Sequence, residues 1–286
     1  MKRRRFLQTA GMVAATVPVH SFLSASVTKD KKLPRTGIIL GNTGGEWVRQ
    51  HPREALRSIA ELGYRELEFG GDIGLGMNAG ELVGYLKSIG LKPLIGPTSM
   101  AALHKEELLK SDIHACQERG QKFIACYWPW TDDGKNKLLD DWKRVADSLN
   151  RGGAICKKEG VQLIYHNHDI EFKPAEDQIP FDTLMKHLDP ALVGIELDLY
   201  WVTKGGQSPT DCIRKYPGRY PVFHVKDMKP TDGDFACVGS GCIDFPAIFR
   251  LNAVAGVKHF IVEHDRPEDP KTCIETSAQY LSSLRF

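Results

Sequence analysis

The chain has 286 residues, of which 42% are hydrophobic and 26% charged, and its formal net charge is +2. This balance is that of a folded globular protein and excludes a disordered chain. The length exceeds that of most single domains, but single α/β domains of about 250 residues are common.

The N-terminus has the layout of a secretory signal. Basic residues at positions 2–5 precede Phe6 and Leu7, a mostly apolar stretch follows over residues 10–23, and small residues then offer a cleavage site. Paired arginines before Phe-Leu are typical of the signal that the twin-arginine pathway reads to export folded proteins. The apolar stretch is too short and too interrupted for a stable membrane span.

These features divide the chain into a signal peptide, residues 1–26, and a mature domain, residues 27–286, and they predict a periplasmic or otherwise exported protein. The leader carries four basic residues and no acidic one, so its removal lowers the formal net charge from +2 to −2. Nucleic-acid binding needs a basic face, and no Lys or Arg block outside the leader supplies one. Nucleic acid is therefore excluded as a partner, whereas a homo-oligomer is compatible with the sequence.

From residue 36 onward, short runs rich in β-branched or aromatic residues alternate with longer amphipathic segments. The runs predict eight strands, at residues 36–40, 66–69, 93–96, 123–128, 162–168, 193–198, 222–228 and 259–265. Helical spacing of apolar residues predicts helices that include residues 53–62, 137–159 and 245–255, each followed by a glycine. Eight strand–helix alternations without a linker predict one domain with the (β/α)8 TIM-barrel fold.

A doubly wound open sheet is the alternative fold. It would normally use fewer strands and often a glycine-rich phosphate loop after the first one. The segment at residues 41–45 is rich in glycine but matches neither GxGxxG nor a P-loop. We interpret it as a turn, and contact of this turn with the substrate is an open alternative.

The seven cysteines show no CxxC spacing and are odd in number; they are Cys116, Cys126, Cys156, Cys212, Cys237, Cys242 and Cys273. We expect most of them to be buried as small apolar residues. If a disulfide forms, Cys237 and Cys242 are the pair closest in sequence.

Four successive predicted strands, the fifth to the eighth, end in histidine or carboxylate side chains. Catalytic groups of α/β barrels lie at these C-terminal strand ends. Residues two apart share a face of a strand, so His166 points the same way as His168, and Glu196 the same way as Asp198. A carboxylate beside two imidazoles in a barrel mouth is costly unless a cation neutralises it. The pattern therefore predicts a metal site, and the absence of thiolates argues against structural zinc.

The chain resembles the xylose-isomerase-like superfamily of sugar isomerases and epimerases from about residue 36 to its end. The motifs that carry the resemblance are Tyr165-His-Asn-His168, Glu196-Leu-Asp-Leu199, His224-Val-Lys-Asp227, Val238-Gly-Ser-Gly-Cys-Ile-Asp-Phe245 and Val262-Glu263. In that family, Glu, Asp, His and Glu from successive strands hold one divalent metal ion. The resemblance implies one such ion here, with Mn, Zn, Co, Fe and Mg not distinguished.

The implied metal ligands are His166, Asp198, His224 and Glu263. The last three match the family pattern, whereas His166 stands where the family usually has glutamate. His168 and Glu171 are alternative first ligands. This departure leaves one of the two glutamates that the family uses to exchange protons.

The resemblance implies an isomerase or epimerase that removes a proton beside the carbonyl of a sugar or keto-sugar. Glu263 then serves in catalysis as well as in binding, His168 is the second base, and Lys226 adds positive charge at the developing oxyanion. A lyase or hydratase acting on 3-keto-glycosides is an alternative that uses the same metal site. A non-catalytic carbohydrate-binding or partner subunit is another, motivated by the histidine at the usual glutamate position.

The same family also contains type IV apurinic endonucleases. That chemistry generally uses more metal ligands, including histidines in the first half of the barrel. The main first-half candidates, His104 and His114, fall in a predicted helix, which argues against it.

The predicted substrate side is formed by Trp128, Trp201 and Glu171. Aromatic faces commonly stack on sugar rings, although packing of the barrel rim is an equal explanation for each tryptophan. Trp201 lies where many members of the family carry histidine. Export and the lack of a phosphate loop favour a small sugar or keto-glycoside without phosphate.

Overall fold

Eight parallel strands close into a barrel in the computed structural model of the chain, which describes residues 31–70 and 75–286. The strands of the chain are β1 (Gly37–Ile39), β2 (Glu66–Glu68), β3 (Lys92–Thr98), β4 (Phe123–Cys126), β5 (Gln162–His166), β6 (Val193–Asp198), β7 (Val222–Val225), β8 (Asp227–Met228), β9 (Phe235–Ala236) and β10 (His259–Val262). The barrel runs from β1 through β7 and closes through β10, while β8 and β9 pair as a separate antiparallel hairpin. The predicted TIM-barrel fold is confirmed.

Helices follow the barrel strands and cover them on the outside. In the described ranges they are α1 (Leu40–Thr43), α2 (Gly45–Gln50), α3 (Pro52–Glu61), α4 (Ala79–Ser88), α5 (Met100–Leu103), α6 (Glu106–Glu118), α7 (Leu139–Lys158), α8 (Pro180–His187), α9 (Leu199–Lys204), α10 (Pro209–Lys215), α11 (Phe245–Phe249), α12 (Asn252–Ala255) and α13 (Pro270–Ser283), with a 3-10 turn at Ile170–Phe172. None of these helices is long and apolar enough to cross a membrane.

The segment from Lys32 to Phe286 is one compact unit. The predicted signal peptide at residues 1–26 lies outside the described residues, so it and the boundary at residue 27 stay predictions. Apolar side chains fill two places, the inside of the barrel and the layer between the strands and the helices. The strands are consequently buried on both faces, as in other parallel sheets.

Glycines in the left-handed conformation follow all three of the predicted helices, as expected, including Gly256 after α12. Gly63 has φ +99° and Gly160 has φ +79°, just after α3 and α7. This left-handed conformation suits glycine and lets the chain leave the helix and enter the next strand.

The predicted helix at residues 245–255 is interrupted. The N–H of Leu251 donates to the carbonyl of Ile248, three residues back, at 2.9 Å. That tighter turn separates α11 from α12 because an α-helix continues only through bonds to the fourth preceding residue.

The predicted seventh strand, residues 222–228, is also two elements. The buried carboxylate of Asp227 accepts hydrogen bonds from the backbone N–H groups of Met228, Gly239, Gly241 and Ile243, at 2.8–3.1 Å. These bonds bend the chain out of the barrel into the β8–β9 hairpin. A Cβ on Gly241 would lie 2.3 Å from Asp227 Oδ1, so only glycine allows this close approach.

A disulfide links Cys237, just after the hairpin, to Cys273 on α13, with the two Cα atoms 5.2 Å apart. The pair closest in sequence, Cys237 and Cys242, does not form it, since Cys242 is a free, exposed thiol. Tertiary packing of α13 against the loop, rather than closeness in sequence, brings the two sulfur atoms together. The expectation of buried, apolar cysteines holds for Cys116, Cys126 and Cys156.

Candidate metal centre

Four side chains from successive strand ends converge at the C-terminal mouth of the barrel. They are those of His166, Asp198, His224 and Glu263, all buried, and one nitrogen or oxygen atom of each lies within 4.8 Å of the others. Strand register explains the convergence, since Asp198 on β6 lies directly beside His224 on β7. The barrel therefore brings together the four ligands that the family resemblance implies.

The two carboxylate oxygens of Asp198 have different roles: one caps a helix, and the other faces the site. Oδ1 accepts a hydrogen bond from the N–H of Trp201 at 2.7 Å and so caps helix α9. Oδ2 is buried and has no hydrogen-bond donor among the described residues. Burial raises the pKa of Asp198 to about 8. A buried lone pair of this kind is costly unless a cation or a proton occupies it.

His224 lies at the centre of the group, with carboxylates on both sides of its ring. Nδ1 is 3.0 Å from Glu263 Oε2, whereas Nε2 is 2.8 Å from Glu68 Oε2 and 3.2 Å from Glu196 Oε1. Burial alone would lower the pKa of His224, but these carboxylates hold it well above its ordinary value. Nδ1 thus points to the mouth of the site, and Nε2 points to its floor.

Glu263 is held in a charged state by its neighbours. Its carboxylate accepts hydrogen bonds from Lys226 Nζ at 3.1 Å and from Asn42 Nδ2 at 2.9 Å. Burial would raise the pKa of Glu263, but Lys226 and His224 keep it well below its ordinary value. An ionised carboxylate is the form that binds a metal ion.

Lys226 is a buried cation beside the four candidate ligands. Its Nζ lies 2.6 Å from Asp265 Oδ1 and 3.8 Å from Asp198 Oδ2, in addition to its bond to Glu263. The rings of Trp201 and Phe235 face Nζ at 4.9 and 4.8 Å. Burial alone would lower the pKa of Lys226, but the neighbouring carboxylates outweigh this effect and raise the pKa above its ordinary value. The amine is therefore charged.

His168 lies at the mouth of the site, beside the metal group. Its ring centroid is 4.9 Å from that of His166 and 5.3 Å from those of Trp128 and Trp201. Nδ1 is buried without a partner in the described part of the chain. Burial lowers the pKa of His168 to about 4, which leaves the imidazole neutral.

Glu171 is fully buried beneath His168 and outside the group of four. One oxygen accepts a hydrogen bond from Tyr165 Oη and the other from the N–H of His168, the latter at 2.9 Å. Burial raises the pKa of Glu171 to about 8. Both oxygens are thus committed to protein donors, and the assignments of Glu171 and of the first metal ligand stay predictions.

The two predicted substrate tryptophans have different surroundings. Trp128 is 41% exposed at the mouth, whereas Trp201 is largely covered and packs edge-on against Tyr200. Nε1 of Trp201 is buried and has no acceptor within residues 31–70 and 75–286. Both indoles flank His168, each with its ring centroid 5.3 Å away, and their assignment to the substrate side stays a prediction.

Several polar residues around the group were not predicted from the sequence. Glu196 and Glu68 lie below His224, Tyr127 Oη donates to Glu68 Oε1 at 2.6 Å, and Asn42 and Asp265 complete the mouth. The alternation of side chains along a strand did indicate Glu196, because it shares a strand face with Asp198. Nothing in the sequence indicated that Asn42 on α1 reaches Glu263, or that Glu68 on β2 reaches His224 across the barrel.

The donor set fits a divalent metal ion. Two imidazoles and two carboxylates are ligands that Mn²⁺, Zn²⁺, Fe²⁺ and Co²⁺ share. Oδ2 of Asp198 is buried without a hydrogen-bond donor in the described part of the chain, so protein donors alone do not satisfy the group.

Comparison with solved structures gives the same architecture. A sugar phosphate isomerase/epimerase from Parabacteroides distasonis aligns with a TM-score of 0.75 and 24% identity, covering 93% of this chain and 99% of that one. The IOLI protein, solved with a bound zinc atom, aligns with a TM-score of 0.68 and 18% identity over 86% and 95% of the two chains. At these identities the likeness concerns the fold.

Sequence comparison finds both relatives and a family. An inosose dehydratase from Clostridium beijerinckii is 30% identical over 129 residues, which are 39% of this chain and 43% of that enzyme. The chain thus matches less than half the length of that relative. The profile of the xylose isomerase-like TIM barrel family matches residues 56–284, which is most of the chain. The resemblance seen in the motifs is confirmed, and the chain belongs to the xylose isomerase-like TIM barrel family.

Proposed function

We propose that the protein is a metal-dependent enzyme that removes a proton from the carbon beside the carbonyl of a sugar or keto-sugar, as an isomerase or epimerase does. One observation carries the proposal. A buried group of two imidazoles and two carboxylates, not satisfied by protein donors, lies at the barrel mouth beside a buried lysine. A divalent cation bound there would supply Lewis-acid polarisation of the carbonyl and of the adjacent oxygen.

His168 is suited to accept the proton. Its low pKa keeps it uncharged at neutral pH, its Nδ1 is not used by another described residue, and it adjoins the metal group through His166. Trp128 and Trp201 flank it and offer aromatic faces to a sugar ring. A base has to lie within hydrogen-bond reach of the C–H proton, and a sugar ring bound between these indoles and the metal group would bring a C–H close to His168.

Lys226 and Glu263 act as a pair in this proposal. The Lys226 ammonium lies beside the metal group and stabilises negative charge that develops on the substrate oxygen. Together with Asn42 it also keeps the Glu263 carboxylate ionised and fixed in orientation. In this proposal Glu263 therefore serves as a ligand and as a proton-exchanging group alongside His168.

The fate of the proton decides between two reaction classes. Return of a proton to carbon gives an isomer or epimer, whereas loss of a neighbouring hydroxyl gives a lyase or hydratase product. Similarity to a sugar phosphate isomerase/epimerase supports the first class, and similarity to an inosose dehydratase supports the second, on a keto-sugar or 3-keto-glycoside.

We propose that the substrate carries no phosphate. The buried cation of the site, Lys226, is already paired with Glu263 and Asp265. A phosphate dianion would need further cations or a nest of backbone N–H groups. The Cys237–Cys273 disulfide suits an oxidising compartment and supports the proposed export.

The test is exchange of substrate hydrogen with solvent. We expect metal-loaded protein in D2O to incorporate deuterium beside the carbonyl of at least one member of a panel of aldoses, ketoses, inososes and 3-keto-glucosides, as read by proton NMR. Chelated protein and the Asp198→Asn variant are the controls and should not catalyse exchange. Binding of sugar without exchange by any member of the panel would instead support a non-catalytic carbohydrate-binding subunit.

A further inference from the structure

We propose that Glu196 is a positioning residue, a single carboxylate that holds both imidazoles of the metal group from below. Its Oε2 lies 3.4 Å from Nδ1 of His166, and its Oε1 lies 3.2 Å from Nε2 of His224. The inference rests on the proposed metal group, and it assigns a role to a residue outside that group.

The fold puts Glu196 one layer below Asp198 and His224 and level with His166. It lies on β6 two residues before Asp198, so both side chains point into the barrel. In the register of the sheet, Glu196 is the direct neighbour of His166 on β5. On the other side, Asp198 is the neighbour of His224 on β7, which places His224 one step above Glu196.

The carboxylate of Glu196 has no other described partner. The residue is fully buried, and neither oxygen accepts a well-aligned hydrogen bond in the described part of the chain. The polar atoms that approach it are the two imidazole nitrogens. Burial of an ionisable group with two free oxygens is costly, so the nearby ring N–H groups are the donors that compensate it.

Glu68 differs from Glu196 in this respect. It accepts a hydrogen bond from Tyr127 Oη at 2.6 Å in addition to its contact with His224 at 2.8 Å. It therefore has a donor that does not depend on the metal group. Glu196 is the carboxylate that contacts both histidines.

A metal-binding imidazole needs such a partner. One ring nitrogen binds the ion, and the other carries a proton whose hydrogen bond fixes the tautomer and the ring orientation. Contact with Glu196 assigns the proton to Nδ1 of His166, and contacts with Glu68 and Glu196 together assign it to Nε2 of His224. The opposite nitrogens, Nε2 of His166 and Nδ1 of His224, are then left for the metal.

The first experiment compares the affinity and spectrum of Co²⁺ in the wild type and in Glu196→Gln. Glutamine has the same shape but can accept at one end only, so one imidazole loses its partner. We expect Co²⁺ to bind about 10- to 100-fold more weakly, with a changed visible absorption spectrum. The matched control is Glu66→Gln, because Glu66 is also a buried barrel glutamate beside an imidazole, His259, but at the other end. It should leave Co²⁺ binding unchanged.

A second measurement does not depend on the variant folding. Nitrogen-15 NMR of imidazole rings in the Zn²⁺-loaded wild type should show the proton on Nδ1 of His166 and on Nε2 of His224. The opposite tautomer at either ring would overturn the inference, as would unchanged Co²⁺ affinity and spectrum in a folded Glu196→Gln protein.

Metal stoichiometry separates the remaining outcomes. Glu68, Glu196 and His224 also converge closely enough to hold an ion of their own. Two equivalents of metal in the wild type, with one lost in Glu196→Gln, would make Glu196 a ligand and overturn the positioning role. No bound metal in the wild type would overturn the proposed function as well, whereas unchanged binding in Glu196→Gln would overturn only this inference.

Discussion

Both ends of the barrel bury a glutamate or aspartate beside an imidazole, but the two ends satisfy these groups differently. At the N-terminal end, Glu66 Oε2 lies 2.9 Å from His259 Nδ1, and Oε1 lies 3.6 Å from Arg35. At the C-terminal end, neither Asp198 Oδ2 nor His166 Nδ1 has a hydrogen-bond partner among the described residues. Burial of an ionisable pair is therefore a weak indicator of function, and unsatisfied buried atoms are a stronger one.

The largest expected effect on activity comes from Asp198→Asn. The substitution removes a charged ligand while keeping the cap of α9, because the amide oxygen can still accept from Trp201. We expect loss of bound metal and a fall in kcat/KM of about 1,000-fold, equivalent to about 4 kcal/mol of transition-state stabilisation. Metal analysis and the deuterium-exchange rate measure it. Full metal content in the folded variant would show that the unpaired oxygen has another role.

Lys226→Met should have the next largest effect. It removes the cation beside the metal group while keeping the length of the side chain. We expect kcat to fall about 100-fold, as for loss of one donor aimed at developing charge. Metal should stay bound, because the substitution removes the ammonium group that competes with the metal ion for the Glu263 carboxylate. Lys226→Arg, which keeps the charge, is the control, and equal kcat values for all three proteins would contradict the assignment of Lys226 to catalysis.

Cys273→Ser should affect stability more than activity. The disulfide ties the loop after the β8–β9 hairpin to α13 over a separation of 36 residues, and the hairpin carries Phe235, which covers Lys226. We expect the free energy of unfolding to fall by about 3 kcal/mol. The loss of activity should be smaller than in the two preceding variants. Thermal unfolding and exchange assays test this, with Cys242→Ser as a neutral control, and no change in stability would show that the crosslink contributes nothing.

The sequence predicted the barrel because each strand–helix unit carries its own pattern. The alternation of Glu196 with Asp198 also indicated the correct strand face. What local patterns do not contain is which residues meet across the closed barrel. Glu68 reaches His224, 156 positions away in the chain, only because the barrel closes. The disulfide partner of Cys237 depends likewise on tertiary packing.

The smallest expected effect on activity comes from Glu66→Gln, at the satisfied end of the barrel. The substitution leaves His259 and Arg35 without their shared carboxylate, and removal of one partner from a buried pair typically costs about 3 kcal/mol of stability. The pair nevertheless lies a full strand length from the metal group, at the start of β2 and β10. We therefore expect a lower melting temperature with unchanged kcat and unchanged metal affinity. If activity fell together with stability while the protein stayed folded, the two ends would be coupled, and the distinction between satisfied and unsatisfied buried groups would no longer locate the active site.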